Sequence, residues 1–148
     1  MRTSRTMGTL LMILGLIFII AGGATYVMVS NELSNARVTV ADDADFLAGD
    51  EVDGPFSAYA QAQIIDKHAL ETTGGKTYAE LDREDPARQT AMSASFLRAS
   101  LFTSVVAFGV ATMAVGTGLA MILGGLGLRA VGANAAPAAA VRPARSEA

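Results

Sequence analysis

Two long apolar stretches dominate the distribution of hydrophobic and polar residues along the chain. Residues 7–29 and 99–128 contain no Asp, Glu, Lys, Arg or His, whereas thirteen of the fourteen acidic residues lie between Ser30 and Leu97. A helix needs about 20 apolar residues to cross a hydrocarbon core of about 30 Å, and both stretches are longer than that. The pattern predicts an all-α membrane protein, a two-span transmembrane helical hairpin with a small, acidic, mainly helical extracytoplasmic cap.

The charged residues that flank the spans predict an orientation in the cytoplasmic (plasma) membrane. Arginine lies close to both termini, at Arg2, Arg5, Arg129, Arg142 and Arg145, and cytoplasmic segments retain basic residues near the span ends. Arg37, Arg88 and Arg98, near the opposite ends of the spans, count against this orientation. The predicted order is a cytoplasmic N-terminus (1–6), a transmembrane helix (7–29), an extracytoplasmic acidic helical segment (30–97), a second transmembrane helix (99–128) and a disordered cytoplasmic tail (129–148).

The first span has one alternative interpretation, which is a signal peptide. Arg2 and Arg5 would be its basic region, and the small residues at 21–24 would be the cleavage site. The apolar run continues to Val29, beyond the usual signal core, which favours an uncleaved anchor. In either case the acidic segment lies outside the cytoplasm.

Glycines recur at seven-residue intervals in both spans. The first span has Gly8, Gly15 and Gly22, and the second has the pairs Gly109/Gly116 and Gly118/Gly125. A seven-residue period keeps such positions on one stripe of a helix, where a missing side chain lets another backbone approach closely. We expect the two spans to pack on each other through these glycines. Ala114 and Gly118 form a small-xxx-small pair that would suit a contact with a second molecule.

Turn and capping residues divide the segment between the spans. An extended piece is predicted at 37–40 and a loop at 41–53, after which Gly54-Pro55 opens a helix that Gly74-Gly75 ends. Its predicted packing face contains Phe56, Tyr59, Ala60, Ile64 and His68, opposite Met92, Ser95, Phe96 and Ala99 of the next helix. Thr77 and Glu80 form a capping box. Asp85, as cap, and Pro86, in the first turn, begin a helix that nothing interrupts before Leu128.

Candidate sites for chemistry in this segment are weak. The acidic residues 42–53 lack the spacing of a calcium loop, so we expect a solvated loop. His68, the single histidine, has only Asp66 and Glu71 nearby in sequence, and cysteine is absent, which excludes thiolate metal sites and thiol nucleophiles. Residues 74–77 resemble the end of a phosphate-binding loop but lack its first glycine. The sequence therefore predicts no catalytic residue, no metal and no cofactor.

Several segments resemble a group of small two-span actinobacterial membrane proteins of unknown function. They read VADDA at 40–44, DGP at 53–55, HALE at 68–71, GGKTYAELDREDP at 74–86 and ASFLRASLFTSVVAFGV at 94–110. Members of this group are often labelled aromatic ring-opening dioxygenases. In extradiol enzymes that label implies a ferrous ion held by two histidines and a carboxylate, and this chain has only His68. An accessory subunit without iron remains compatible with the resemblance.

These observations predict a non-catalytic integral membrane protein that acts as an accessory or structural subunit of a cell-envelope or membrane complex. The expected partners are membrane lipids and other membrane proteins, or a second copy bound through the glycine-lined spans. Nucleic acid is not expected, because the middle segment carries thirteen acids against five bases. Two alternatives remain: a subunit of an aromatic ring-opening dioxygenase, and an oligomeric transport or channel element.

Overall fold

A computed structural model describes residues 2–134, and they form three α-helices. Helix α1 spans Arg2–Asn35, α2 spans Pro55–Thr72 and α3 spans Arg88–Asn134. No strand occurs in this part of the chain, where the one β-type pairing is an isolated bridge between Thr39 and Glu51. The prediction of a mostly helical protein with two long apolar helices is confirmed. Helices α1 and α3 are long and apolar enough to cross a membrane.

Helices α1 and α3 pack side by side in antiparallel directions. Gly8 lies against Gly125, Gly15 against Gly118 and Gly22 against Ala111, so residue numbers rise along α1 as they fall along α3. Both helices extend beyond the apolar stretches. Helix α3 in particular continues to Asn134, so residues 129–134, predicted as part of a disordered tail, are helical. The remainder of the predicted tail lies outside the described residues.

The acidic segment after α1 folds back on itself. Two residues after α1 ends, Arg37 adopts a left-handed backbone conformation with φ of 52°. The Val40 amide donates to the Asp50 carbonyl at 2.8 Å, and the Val52 amide donates to the Val38 carbonyl at 2.9 Å. Val40 and Val52 are each 1% exposed. They form a small core with Ala58 and Ala60 of α2, against which Leu33, Leu101 and Val105 pack. The segment predicted as a solvated loop is therefore held against α2 by two buried valines, while its carboxylates face solvent.

Helix α2 lies antiparallel to the outer part of α3. Its first turns pack near Leu101 and Val105, and farther along it Asp66 pairs with Arg98. The predicted packing faces were partly wrong: Phe56 is 76% exposed and Phe96 is 69% exposed. Ala60 and Ile64 of the predicted face are buried, and so are three alanines that the pattern did not assign to it, Ala58 and Ala62 on α2 and Ala91 on α3. Ala58 and Ala60 pack against Val40 and Val52 of the acidic segment, so part of the buried surface of α2 faces that segment.

Candidate functional site

The glycines between α1 and α3 form a contact in which backbone meets backbone. A Cβ atom built on Gly15 would lie 2.6 Å from the carbonyl oxygen of Gly118, and one built on Gly118 would lie 2.5 Å from the carbonyl oxygen of Gly15. Gly8 and Gly125 have the same reciprocal relation, at 2.6 Å each way. Real Cβ atoms do not approach carbonyl oxygens this closely, so any side chain at these positions would push the helices apart. We call this row of contacts the glycine seam.

Gly109 and Gly116 do not belong to the glycine seam. A Cβ atom on either residue would meet nothing within 4 Å. Each precedes its counterpart in the Gly118/Gly125 pair by nine positions, and nine residues of an α-helix turn through about 900°, which leaves the two pairs on opposite faces. The position opposite Gly22 is occupied by Ala111, a residue that the glycine spacing did not indicate.

The predicted pair Ala114 and Gly118 is also accounted for within the chain. A Cβ atom on Gly22 would lie 3.1 Å from the Ala114 Cβ atom, and Gly118 faces Gly15. Both residues therefore contact α1, and the pair does not present a free surface to a second molecule.

Large apolar side chains of α1 and α3 point away from the glycine seam. Ile20 is 62% exposed, Met28 66%, Met113 65% and Leu123 69%. In a water-soluble helical pair these side chains would fill the interface. Here small residues bring the two backbones together, with larger side chains such as Ile122 and the buried Phe108 beside them, while much of the remaining apolar surface faces outward along both helices.

Polar contacts lie at the two ends of the paired helices. At one end the Arg129 guanidinium donates to the Thr9 hydroxyl at 3.1 Å. At the other end the Ser30 hydroxyl donates to the Asp53 carbonyl at 2.7 Å, which holds the start of α2 beside α1. Between them the sequence supplies no Asp, Glu, Lys, Arg or His within residues 7–29 or 99–128.

An ion cluster joins the acidic segment to α2. The Asp43 carboxylate lies 2.8 Å from the His68 ring nitrogen Nε2 and 3.9 Å from the Lys67 ammonium. The hydrogen bond with His68 holds the pKa of the Asp43 carboxyl below its ordinary value, and the charge of Lys67 acts in the same direction. The predicted neighbours Asp66 and Glu71 are not the partners of His68. Asp66 accepts from Arg98 at 2.8 Å instead, and this contact ties α2 to α3.

The predicted capping residues lie in the turns that lead into α3. The Asp85 carboxylate accepts from the Ala87 amide at 2.8 Å, with Pro86 between them, and regular helix begins at Arg88. The Glu80 carboxylate accepts from the amide and hydroxyl of Thr77, each at 2.8 Å. These bonds lower the pKa of the Glu80 carboxyl. The Thr77 hydroxyl thus points to the carboxylate rather than to the Glu80 amide, and residues 78–80 form a turn without continuing as a helix.

Arg88 organises the same region, a structural role that the sequence pattern did not predict. Its guanidinium donates to the carbonyls of Leu81 and Tyr78 and lies 4.1 Å from the centre of the Tyr78 ring. Tyr78 lies in a turn and Arg88 begins α3, so the fold of the residues between them brings the two side chains together.

A groove of about 640 Å³ runs between the acidic segment and α2. Its lining includes Phe46, Tyr59, Gln63, Lys67 and Glu71. It is open, and the described residues contain no group of three or more His, Asp or Glu side chains arranged to hold a metal ion. The acidic residues 42–53 are spread along the exposed side of the folded segment.

The chain was compared with known protein families, curated proteins and solved structures. No protein-family model, curated protein or solved structure matches this chain.

Proposed function

We propose that this protein is a non-catalytic integral membrane protein whose two helices cross the cytoplasmic membrane as a hairpin and hold a small acidic cap outside the cytoplasm. The observation that carries the proposal is the inverted packing of α1 and α3. Backbone contacts at Gly15 and Gly118 bring the helices together at the centre of the interface, while large side chains such as Met113 and Leu123 face outward. Lipid tails solvate such side chains as well as a protein core does, so close backbone packing is what holds helices together in a bilayer.

The proposed orientation places both termini in the cytoplasm. Arg5 and Arg129 lie at one end of the hairpin, and the acidic segment lies at the other. Basic residues are retained on the cytoplasmic side. The packing of Gly22 against Ala111 supports an uncleaved first helix, because cleavage at 21–24 would remove the α1 side of the seam.

Thiol labelling tests this topology directly, because the chain contains no cysteine. Ser93→Cys lies on the exposed surface of the cap and Thr3→Cys lies near the other end of the hairpin. On intact cells a membrane-impermeant thiol reagent should modify Ser93→Cys and should modify Thr3→Cys only after the membrane is opened. The opposite pattern would overturn the orientation, and release of the protein by alkaline carbonate would overturn membrane insertion.

The proposed role is that of an accessory or structural subunit of a cell-envelope complex. The resemblance to the actinobacterial two-span group supports a membrane role, and the cap offers contact surfaces without a convergent set of nucleophile, base and acid. Affinity purification from native membranes should recover a reproducible membrane partner. Stoichiometric iron in the purified protein together with catechol turnover would favour the dioxygenase-subunit hypothesis instead.

A further inference from the structure

Three aromatic rings lie close together where the cap meets the paired helices, and a fourth aromatic residue lies near them on α2. The Tyr59 ring lies 6.2 Å from the Phe46 ring and 5.9 Å from the Phe102 ring, measured between centroids. Phe56 lies one helical turn before Tyr59. Phe46 is 41% exposed, Tyr59 39% and Phe56 76%, so the cluster is an outer surface of the cap. We call Phe46, Phe56, Tyr59 and Phe102 the aromatic ridge.

The height of the aromatic ridge follows from the glycine seam. If the inner edge of the hydrocarbon core lies at the Gly8/Gly125 contact, next to Arg5 and Arg129, a core of about 30 Å ends about 20 residues farther along each helix. That level corresponds to Met28 on α1 and Val105 on α3. Phe102 lies three residues beyond Val105, at about 4.5 Å from the core edge. The headgroup layer extends roughly 5–7 Å from that edge, so Phe102 lies within it.

Helix α2 begins at the same level. The bond from Ser30 to the Asp53 carbonyl fixes the start of α2 two residues beyond Met28. From there α2 runs away from the membrane, because Asp66 is paired with Arg98, which lies seven residues beyond Val105. Phe56 and Tyr59 are therefore at the membrane-proximal end of α2, where Tyr59 lies beside Phe102 and Phe46.

We infer that the aromatic ridge lies in the lipid headgroup layer and anchors the cap against the membrane surface. The inference rests on the proposed membrane insertion. Lipid is the occupant because the ridge continues the outward apolar surface of the spans, where Met28 is 66% exposed and Val106 is 63% exposed. Tyr and Trp are typical of this layer because their rings combine an apolar body with a polar edge, and Tyr59 has that character. The three phenylalanines add exposed apolar area at the same level. The ridge fixes how close α2 lies to the bilayer.

Single-tryptophan variants test this inference, because the chain has no tryptophan of its own. Phe46→Trp and Phe56→Trp report on the ridge. Glu84→Trp, in the exposed turn before α3, is the aqueous control, and Met113→Trp, on the outward face near the middle of α3, is the span control. Each full-length variant is reconstituted into vesicles whose lipids carry bromine either near the headgroup or near the end of the acyl chain.

The expected result is a depth order. Both ridge tryptophans should lose more emission to bromine near the headgroup than to bromine near the chain end, and should emit at shorter wavelength than Glu84→Trp. Ridge tryptophans that are quenched by aqueous iodide as strongly as Glu84→Trp, or that neither iodide nor bromine reaches, would overturn the inference, because water or protein would then cover the ridge. If Met113→Trp also escapes bromine at both depths, membrane insertion itself fails, which separates failure of the proposed function from failure of the inference alone.

Discussion

At the scale of single residues, the difference between two sets of glycines provides a matched test of the seam. Gly15→Ala places a Cβ atom 2.6 Å from the Gly118 carbonyl oxygen, whereas Gly116→Ala places one in open space. Overpacking costs typically about 1–3 kcal/mol, so Gly15→Ala should lower the free energy of unfolding by that amount. Gly116→Ala should be neutral or raise it by up to about 1 kcal/mol through helix propensity. Thermal or denaturant unfolding in detergent measures both variants, and equal effects would contradict the seam.

The Asp43 cluster gives a residue-scale prediction about pH. Because the folded-state pKa of Asp43 is lowered, its contribution to stability is present above the unfolded pKa of about 3.9 and is lost as pH falls through the folded pKa. Asp43→Asn removes that contribution. The melting temperature of Asp43→Asn should therefore lie below that of the parent chain near neutral pH, and the gap should close in the acid range below about pH 4.

Asp45→Asn is the control for that experiment, since it removes the same charge from an exposed position of the same segment. Its melting temperature should follow the parent chain more closely at every pH. If the two variants respond alike, the effect belongs to the net charge of the segment and not to the contact between Asp43 and His68.

At the scale of elements, the residues that lead into α3 allow a test of how much a capping hydrogen bond stabilises the start of a helix. The Asp85 carboxylate accepts from the Ala87 amide, which has no acceptor within the helix. Replacing an N-cap side chain by alanine costs about 1 kcal/mol. Asp85→Ala should therefore speed hydrogen exchange at residues 87–91 while the apolar stretch of α3 at residues 99–128 keeps its protection. Glu84→Ala, one position earlier and exposed, should leave exchange unchanged; equal exchange in the two variants would contradict the capping role.

The sequence predicted helix positions better than helix faces. Local chemistry decides where α2 begins and ends, because Gly54-Pro55 starts the helix and left-handed Gly74 and Gly75 stop it. Which side of α2 is buried depends on what packs against it, and that information is spread over the chain. The sequence pattern assigned Phe56 to the interior since large apolar residues are usually buried, whereas the alanines of α2 occupy the contact with the valines of the acidic segment.

At the scale of the whole molecule, the cap and the paired helices share side chains and should respond to each other. Leu33 belongs to α1, Leu101 and Val105 belong to α3, and all three pack against the core of the cap. The sequence pattern did not predict this coupling, because it depends on the fold of the acidic segment, which places Val40 and Val52 against residues of α1 and α3. The glycine seam sets the distance between α1 and α3. It therefore also sets the spacing of Leu33 and Leu101, against which the core of the cap packs.

Two wedges at opposite ends of the seam test that coupling. Gly22→Ile and Gly8→Ile each place a side chain against a carbonyl oxygen 2.6 Å from the new Cβ atom, at Ala111 and Gly125 respectively. Gly22 lies near the cap, and Gly8 lies about 20 Å farther from it, toward the N-terminus of α1. We expect Gly22→Ile to increase hydrogen exchange at residues 57–64 of α2, because it separates Leu33 from Leu101, whereas Gly8→Ile should loosen only the far end of the hairpin. Identical exchange in α2 for both variants would mean that the cap folds independently of the seam.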